Sequence, residues 1–261
     1  MSPLTPPSPT PLGRYVPIRL GEVDLELVVP AFNEAARLPA TLAEVTEFLA
    51  AQRWRSRVVV VDNGSADDTA TIVDARDWNA EVVVVGCSRP GKGAAVRRGI
   101  AGSMARFVGF IDADLSTPVP TLTRAMAELE AGAAAAIASR HAPGAELAHP
   151  QPATRRLGGA VFRALARQLV PGVHDTQCGF KIFNRVTVQW ALEHCQVNGF
   201  AFDVELLRQI RRAGGRIAEV PVTWTDDERS TFRPLRDGRA AFVDLFRLYR
   251  ADLLAARAGT R

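Results

Sequence analysis

Apolar residues in this chain fall into short unbroken runs separated by stretches of helical spacing. The runs Leu25–Val29, Val58–Val61, Val82–Val85, Phe107–Ile111 and Ala134–Ala138 carry no alternation, as expected of strands buried on both faces. Between the first two, Leu38, Leu42, Val45, Phe48 and Leu49 recur at helical spacing within 37–51. Asp67 and Asp68 suit the first turn of a second helix reaching about Arg76. The glycine-rich segment Gly86–Gly93 leads into a helix ending near Ala105, and Pro118 suits the opening of another. This β-α repetition predicts an α/β fold: a mostly parallel, Rossmann-like sheet covered by helices on both faces.

The second half has a different texture. The segment 155–170 reads as a helix in which Leu157, Val161, Phe162, Leu165 and Leu169 interleave with Arg155, Arg156, Arg163 and Arg167, with no acid. A loop over 175–181 enters a short strand, a helix opens over 200–205, a strand covers 216–220, and 239–256 closes as an amphipathic helix. The expected organisation is a Pro/Ser/Thr-rich disordered tail over 1–20, one domain over 21–238, and a C-terminal amphipathic helix and tail over 239–261.

The candidate chemistry sits where the strands stop. Asp112 and Asp114 follow the fourth strand, and residues i and i+2 of an extended segment share a face. Both carboxylates can then share a divalent cation, Mg²⁺ or Mn²⁺, bridging to a diphosphate; the plainer alternative is two acids in a solvated loop. In a parallel sheet, ligands bind beyond the carboxyl ends of the strands. The other strands deliver Glu34, Asp62 with Asn63, Lys92 and Arg140 to that same rim, which favours the cation site. Asp62 can cap the next helix or accept from a base N–H, and Glu34 is a loop acid or a ribose ligand. Asn63 holds the turn.

Composition narrows the classes. With 32 basic against 28 acidic residues the net charge is +4, and aromatics are 7%, so nucleic-acid binding is not supported. Only Lys92 and Lys181 are lysines. Cys87, Cys178 and Cys195 have no metal-ligand spacing and fit a reducing compartment. No apolar run approaches the ~20 residues of a membrane span. The acid-free arginine helix instead suits an interfacial position on anionic lipid, with a solvated face or a nucleic-acid patch as the other options. Packing on the domain core competes with lipid contact for the closing helix. The loop over 86–93 nearly spells a P-loop, yet Gly93 stands where a hydroxyl ligand to Mg²⁺ is required and Pro90 interrupts the donor amides. Lys92 can still reach a phosphate, or merely belong to a strand-to-helix turn. His141, His149, His174 and His194 are scattered and form no triad.

The segments 29–34 (VPAFNE), 61–65 (VDNGS), 91–96 (GKGAAV) and 112–114 (DAD) resemble the GT-A glycosyltransferases of family 2. Segments 139–140 (SR), 155–158 (RRLG), 175–181 (DTQCGFK), 199–205 (GFAFDVE) and 219–224 (EVPVTW) are similar to its dolichyl-phosphate β-glucosyltransferase and polyprenyl-phosphate sugar synthase branch. The resemblance runs from about Asp24 to about Gly238. It implies inverting transfer of a hexose from a nucleotide sugar, UDP-glucose favoured over GDP-mannose, to a polyprenyl phosphate on the cytoplasmic membrane face, with peripheral attachment. By position, Pro30, Ala31, Glu34, Asp62, Lys92, Asp112 and Ala113 would hold the donor, and Asp112 and Asp114 the metal. Arg140 with Arg155 or Arg156 would hold the acceptor phosphate, and Asp203 lies where relatives carry the acid beside the acceptor. Asn63 stands where the family often has a second aspartate. Over 229–238, a lysine of the family pattern is missing, and Arg229 or Arg233 would replace it. Two other expectations remain: a family 2 transferase using Asp203 as base toward a soluble hydroxyl, and a non-catalytic sugar-nucleotide-binding subunit.

Overall fold

The computed structural model describes residues 22–147, 153–199, 201–224 and 234–258. Seven strands form one sheet: β1 (Leu25–Ala31), β2 (Ser56–Asp62), β3 (Glu81–Gly86), β4 (Phe107–Ile111), β5 (Ala135–Ser139), β7 (Phe180–Asn184) and β8 (Ile217–Pro221), in the order β3-β2-β1-β4-β7-β5-β8. All neighbours run parallel except β7, which lies antiparallel between β4 and β5. The strand order reverses between β1 and β4, the crevice where open α/β sheets bind ligands. Because β7 runs the other way, its first residue, Phe180, pairs with Ile111 at the carboxyl end of β4. The loop before β7 thereby reaches the rim that the parallel strands build.

The non-alternating strands are buried on both faces, as their patterning requires. Leu25, Leu27, Val29, Val58 and Val60 pack with α1 (Leu38–Ala50) and α4 (Thr121–Glu130) on one side. On the other, Val28, Val59, Val108 and Phe110 meet α3 (Lys92–Ala101), α5 (Ala153–Leu169), α6 (Arg185–Glu193), α7 (Phe202–Arg212) and α8 (Pro234–Ala258). A short α2 (Thr69–Asp74) follows β2, and β6 (Glu146–Leu147) pairs with β9 (Thr223–Trp224) in a second, two-stranded sheet.

Several boundaries move. α3 stops at Ala101, since Gly102 caps it, and Pro118 begins a turn that leads into α4 at Thr121. α6 was not foreseen: Asn184 caps it by accepting from the Thr187 N–H, but Val186 and Trp190 point outward and blur its apolar stripe. α8 begins at Pro234, so a division between 238 and 239 would cut a continuous helix. Ala241, Leu245 and Leu248 are buried in the core, and Phe242 meets Phe162 of α5 edge-on at 5.6 Å. α8 is therefore packed on the domain. The tail over 1–20 lies outside the described residues.

Candidate active site

Asp112 and Asp114 leave the end of β4 at the centre of the rim. The Asp112 N–H donates to the Gly179 carbonyl at 2.8 Å, continuing the β4–β7 ladder by one bond. Gly179 is required at that point, because a methyl group there would overlap the Asp112 carboxylate. The Thr41 hydroxyl of α1 donates to the Ala113 carbonyl, and the Ser116 N–H donates to Asp114 Oδ1 at 3.0 Å. Leu115 adopts a left-handed conformation, φ 48°, which turns the chain immediately after the second aspartate. Three hydrogen bonds and a left-handed turn thus fix a three-residue motif.

Burial raises the Asp114 carboxyl above its ordinary range, and the charge of Asp112 raises it further. Two carboxylates held in such mutual opposition suit a divalent cation. No group of three or more His, Cys, Asp or Glu side chains fit to hold a metal occurs among the described residues. The remaining ligands would therefore come from diphosphate and water, as is common for Mg²⁺.

Lys92 opens α3 and places Nζ 2.6 Å from Asp112 Oδ1. Burial opposes its charge, but Asp112, Asp203 and Asp114 together hold it well above the usual lysine range. Its loop is tied to β2 by Asn63. Asn63 Nδ2 donates to the carbonyls of Cys87 (3.2 Å) and Arg89 (2.7 Å), and Asn63 Oδ1 accepts from the Gly91 N–H at 2.8 Å. An aspartate there could make only the last of these bonds, which accounts for asparagine at this position. Gly93 also has a reason: a β-carbon on it would come within 2.6 Å of Phe202 Cβ, so no P-loop hydroxyl can stand there.

On the donor side, β1 and β2 pair Pro30 with Val61 and Ala31 with Asp62. Asp62 Oδ1 accepts from the Ser65 N–H at 3.2 Å and leaves the carboxylate at the strand end. Glu34 is ion-paired to Arg37 at 3.0 Å, while its N–H donates to Thr69. The predicted nucleoside residues are therefore together.

On the opposite side, Arg140 follows β5 and is held by Asp175. Its Nε donates to Oδ2 at 2.7 Å, one Nη donates to Oδ1 at 2.9 Å, and its backbone N–H donates to Oδ2 at 3.0 Å. Asp175 is fully buried. Burial opposes its ionisation, but Arg140 overrides that and holds the carboxyl far below the usual range. Glu219 of β8 supports the arrangement by accepting from the N–H groups of His174 and Asp175. Arg140 also lies over the Trp224 ring at 5.3 Å. One edge of its guanidinium is committed to Asp175, leaving the outer donors for a ligand.

Asp203, in the first turn of α7, is buried and ion-paired to the fully buried Lys181 at 2.8 Å. Lys181 Nζ also donates to the Cys178 carbonyl. Both lysines of the chain flank one ring, Phe110, with Nζ 5.6 Å (Lys92) and 5.2 Å (Lys181) from its centroid. Arg155 and Arg156 belong to the first turn of α5, their side chains lie outside the described ones, and Arg229 lies outside the described residues altogether.

The sequence argument did not assign Asp175, Gly179 or Lys181 to the site. The signal for Lys181 was present, since a lysine in so arginine-rich a chain is an exception. Asp175 and Gly179 depend on the antiparallel insertion of β7, which spacing alone does not reveal.

Comparison with known proteins agrees with this geometry. The family model described as "Glycosyl transferase family 2" matches residues 26–190. The chain is 33% identical to human dolichyl-phosphate beta-glucosyltransferase, covering 80% of this chain and 70% of that protein. It is 32% identical to the Drosophila melanogaster enzyme of the same name, covering 90% and 77%. Among solved structures, Mycobacterium tuberculosis glucosyl-3-phosphoglycerate synthase in complex with Mn²⁺, UDP and glucosyl-3-phosphoglycerate superposes with a TM-score of 0.65 at 22% identity, covering 87% of this chain and 80% of that one. The same synthase with Mg²⁺ and UDP gives 0.64. The carboxylate pair at the β4 end, the acidic strand ends beside it and these similarities place the chain in glycosyl transferase family 2.

Proposed function

We propose that this glycosyltransferase moves glucose from UDP-glucose to a dolichyl or other polyprenyl phosphate, with inversion, at the cytoplasmic face of a membrane. The observation that carries the reading is the polarity of the rim. A carboxylate pair stands at the end of β4, and an arginine fixed by a buried aspartate stands at the end of β5, one strand beyond β7. Charges of opposite kind on the two sides suit a metal-bound diphosphate on one and a free phosphate on the other. The names of the relatives point to the same lipid acceptor.

In this reading Pro30, Ala31, Glu34 and Asp62 hold the nucleoside, and Lys92 and the Ala113 backbone approach the diphosphate. Asp112 and Asp114 would hold Mg²⁺ or Mn²⁺, which neutralises charge on the departing diphosphate when bound. Arg140, joined by Arg155 or Arg156 and Arg229, orients the acceptor phosphate; arginine suits this because its planar fork can meet two oxygens. A phosphate monoester has a second pKa of about 6 and is a nucleophile at neutral pH without a base. Its oxygen bonds to the anomeric carbon as the bond to the diphosphate oxygen breaks. The electron pair leaves with UDP, and the α-linked donor yields a β-linked lipid. Positioning and charge do the catalysis.

Asp203 bears on the alternative acceptor. A hydroxyl nucleophile would need it as base, yet taking up a proton there would strand the buried Lys181 ammonium without its counter-charge. This favours the phosphate acceptor over a hydroxyl. The test is the pH dependence of kcat/KM for the acceptor. It should rise with the acceptor's own second ionisation and then stay level, and a phosphonate acceptor should move the limb with its own pKa. A limb that stays fixed when the acceptor is changed would assign an enzyme base and overturn this reading.

Membrane contact has support in the outer faces of α5 and α8, where Val161, Val243, Phe246 and Leu253 are exposed. Among the described residues, no helix is long and apolar enough to cross a membrane. We propose peripheral attachment through this face.

A further inference from the structure

The ammonium of Lys92 lies 2.6 Å from an oxygen of Asp112, the very carboxylate proposed to hold metal. The backbone around it has little freedom. Gly91 adopts φ 116°, and a β-carbon there would meet the Asn198 carbonyl oxygen at 2.7 Å; at Gly93 it would meet Phe202. Asn63 clamps the same loop through three bonds. What can move is the side chain of Lys92, which is partly exposed.

The residue type is informative. Only two of the 32 basic residues are lysines. An arginine beside Asp112 would form two parallel bonds, as Arg140 does with Asp175. A lysine presents a single point charge on a flexible four-carbon stem, an arrangement that a stronger cation can displace. Asp203, through its partner Lys181, borders the same Phe110 ring as this ammonium, so a carboxylate remains near it after such a displacement.

We infer that Lys92 is a placeholder cation: without metal it neutralises Asp112, and a divalent cation arriving with the donor diphosphate evicts it toward that diphosphate and Asp203. The inference rests on the proposed metal–diphosphate role of Asp112 and Asp114. Its consequence is that metal alone binds weakly, because it must break the Lys92–Asp112 pair, and that nucleoside diphosphate strengthens metal binding by receiving the released ammonium.

The test is Mn²⁺ binding, followed by loss of the free-ion paramagnetic signal, with and without UDP, for the wild-type chain, Lys92→Gln and Lys92→Arg. Removing the competing charge in Lys92→Gln should tighten Mn²⁺ binding without UDP by about fivefold, the equivalent of a partly exposed ion pair. The strengthening by UDP should shrink. Lys92→Arg should weaken Mn²⁺ binding instead, since a forked pair is harder to displace. Unchanged or weaker binding by Lys92→Gln, or tighter or unchanged binding by Lys92→Arg, overturns the inference. If Lys92→Gln does not fold, the Lys92→Arg comparison decides alone. Failure of the wild-type chain to bind Mn²⁺ even at saturating UDP is a separate outcome, and it overturns the metal reading beneath the inference.

Discussion

Among the described residues Asp114 makes no ion pair and accepts from the Ser116 N–H, so its loss should separate chemistry from folding. Asp114→Ala should keep the fold and lose metal-dependent turnover by about 100-fold or more, the scale of removing one charge-stabilising group. Full activity of that variant in the presence of chelator would remove the metal assignment. Arg140 needs a gentler change, because Arg140→Ala strands the buried Asp175, a loss costing ~3–5 kcal/mol in stability. Arg140→Lys keeps the charge and loses the fork. It should raise the acceptor KM about tenfold while calorimetry shows donor binding kept; lost donor binding would move Arg140 to the other half of the site. At this scale the sequence was informative where the backbone is simple. Asp112, Asp114, Asp62 and Glu34 follow parallel strands, so their shared rim follows from strand polarity. Gly179 and Asp175 were opaque, because their partners lie 67 and 35 positions away, at Asp112 and Arg140.

Elements fix how these side chains respond to pH. The loop between α5 and β7 ionises Asp175 against its burial because Arg140 of the β5 end compensates it. Its folded-state pKa lies below the unfolded value of about 3.9, so its contribution is complete above that value and is lost as pH falls through the folded one. Wild-type stability should therefore drop on the acid side by up to about 1.4 kcal/mol per pH unit from this group. Asp175→Asn should show a flatter acid limb in urea unfolding followed as a function of pH; identical slopes would contradict the assignment. Elements with one clean stripe, such as α1 with Leu38, Leu42, Val45 and Leu49 inward, were legible from spacing. α6 was not, since Val186 and Trp190 face outward, and its position depends on packing against α7. α8 was recognised as amphipathic, but Pro234 at its start reads equally as a loop residue or a first-turn proline.

The whole molecule joins a buried two-sided sheet to a single chemically polarised rim. The β-α alternation made the parallel sheet readable, whereas the antiparallel β7 between β4 and β5 was beyond any local pattern. That strand brings Lys181 beneath the site and pairs it with Asp203. On the outside, α5 and α8 expose apolar side chains beside the basic residues of an acid-free helix. The protein should float with liposomes containing anionic lipid and do so less at high salt, because surface charge attraction is screened. Complete recovery in the soluble fraction at low salt would count against membrane attachment. The central claim is glucosyl transfer between two phosphates. It is tested most directly by incubating the protein with labelled UDP-glucose, Mn²⁺ or Mg²⁺, and a polyprenyl phosphate, with GDP-mannose in parallel. The account predicts a labelled, organic-extractable β-glucosyl lipid from UDP-glucose; no labelled lipid from that donor, with label passing instead to a soluble hydroxyl, would contradict it.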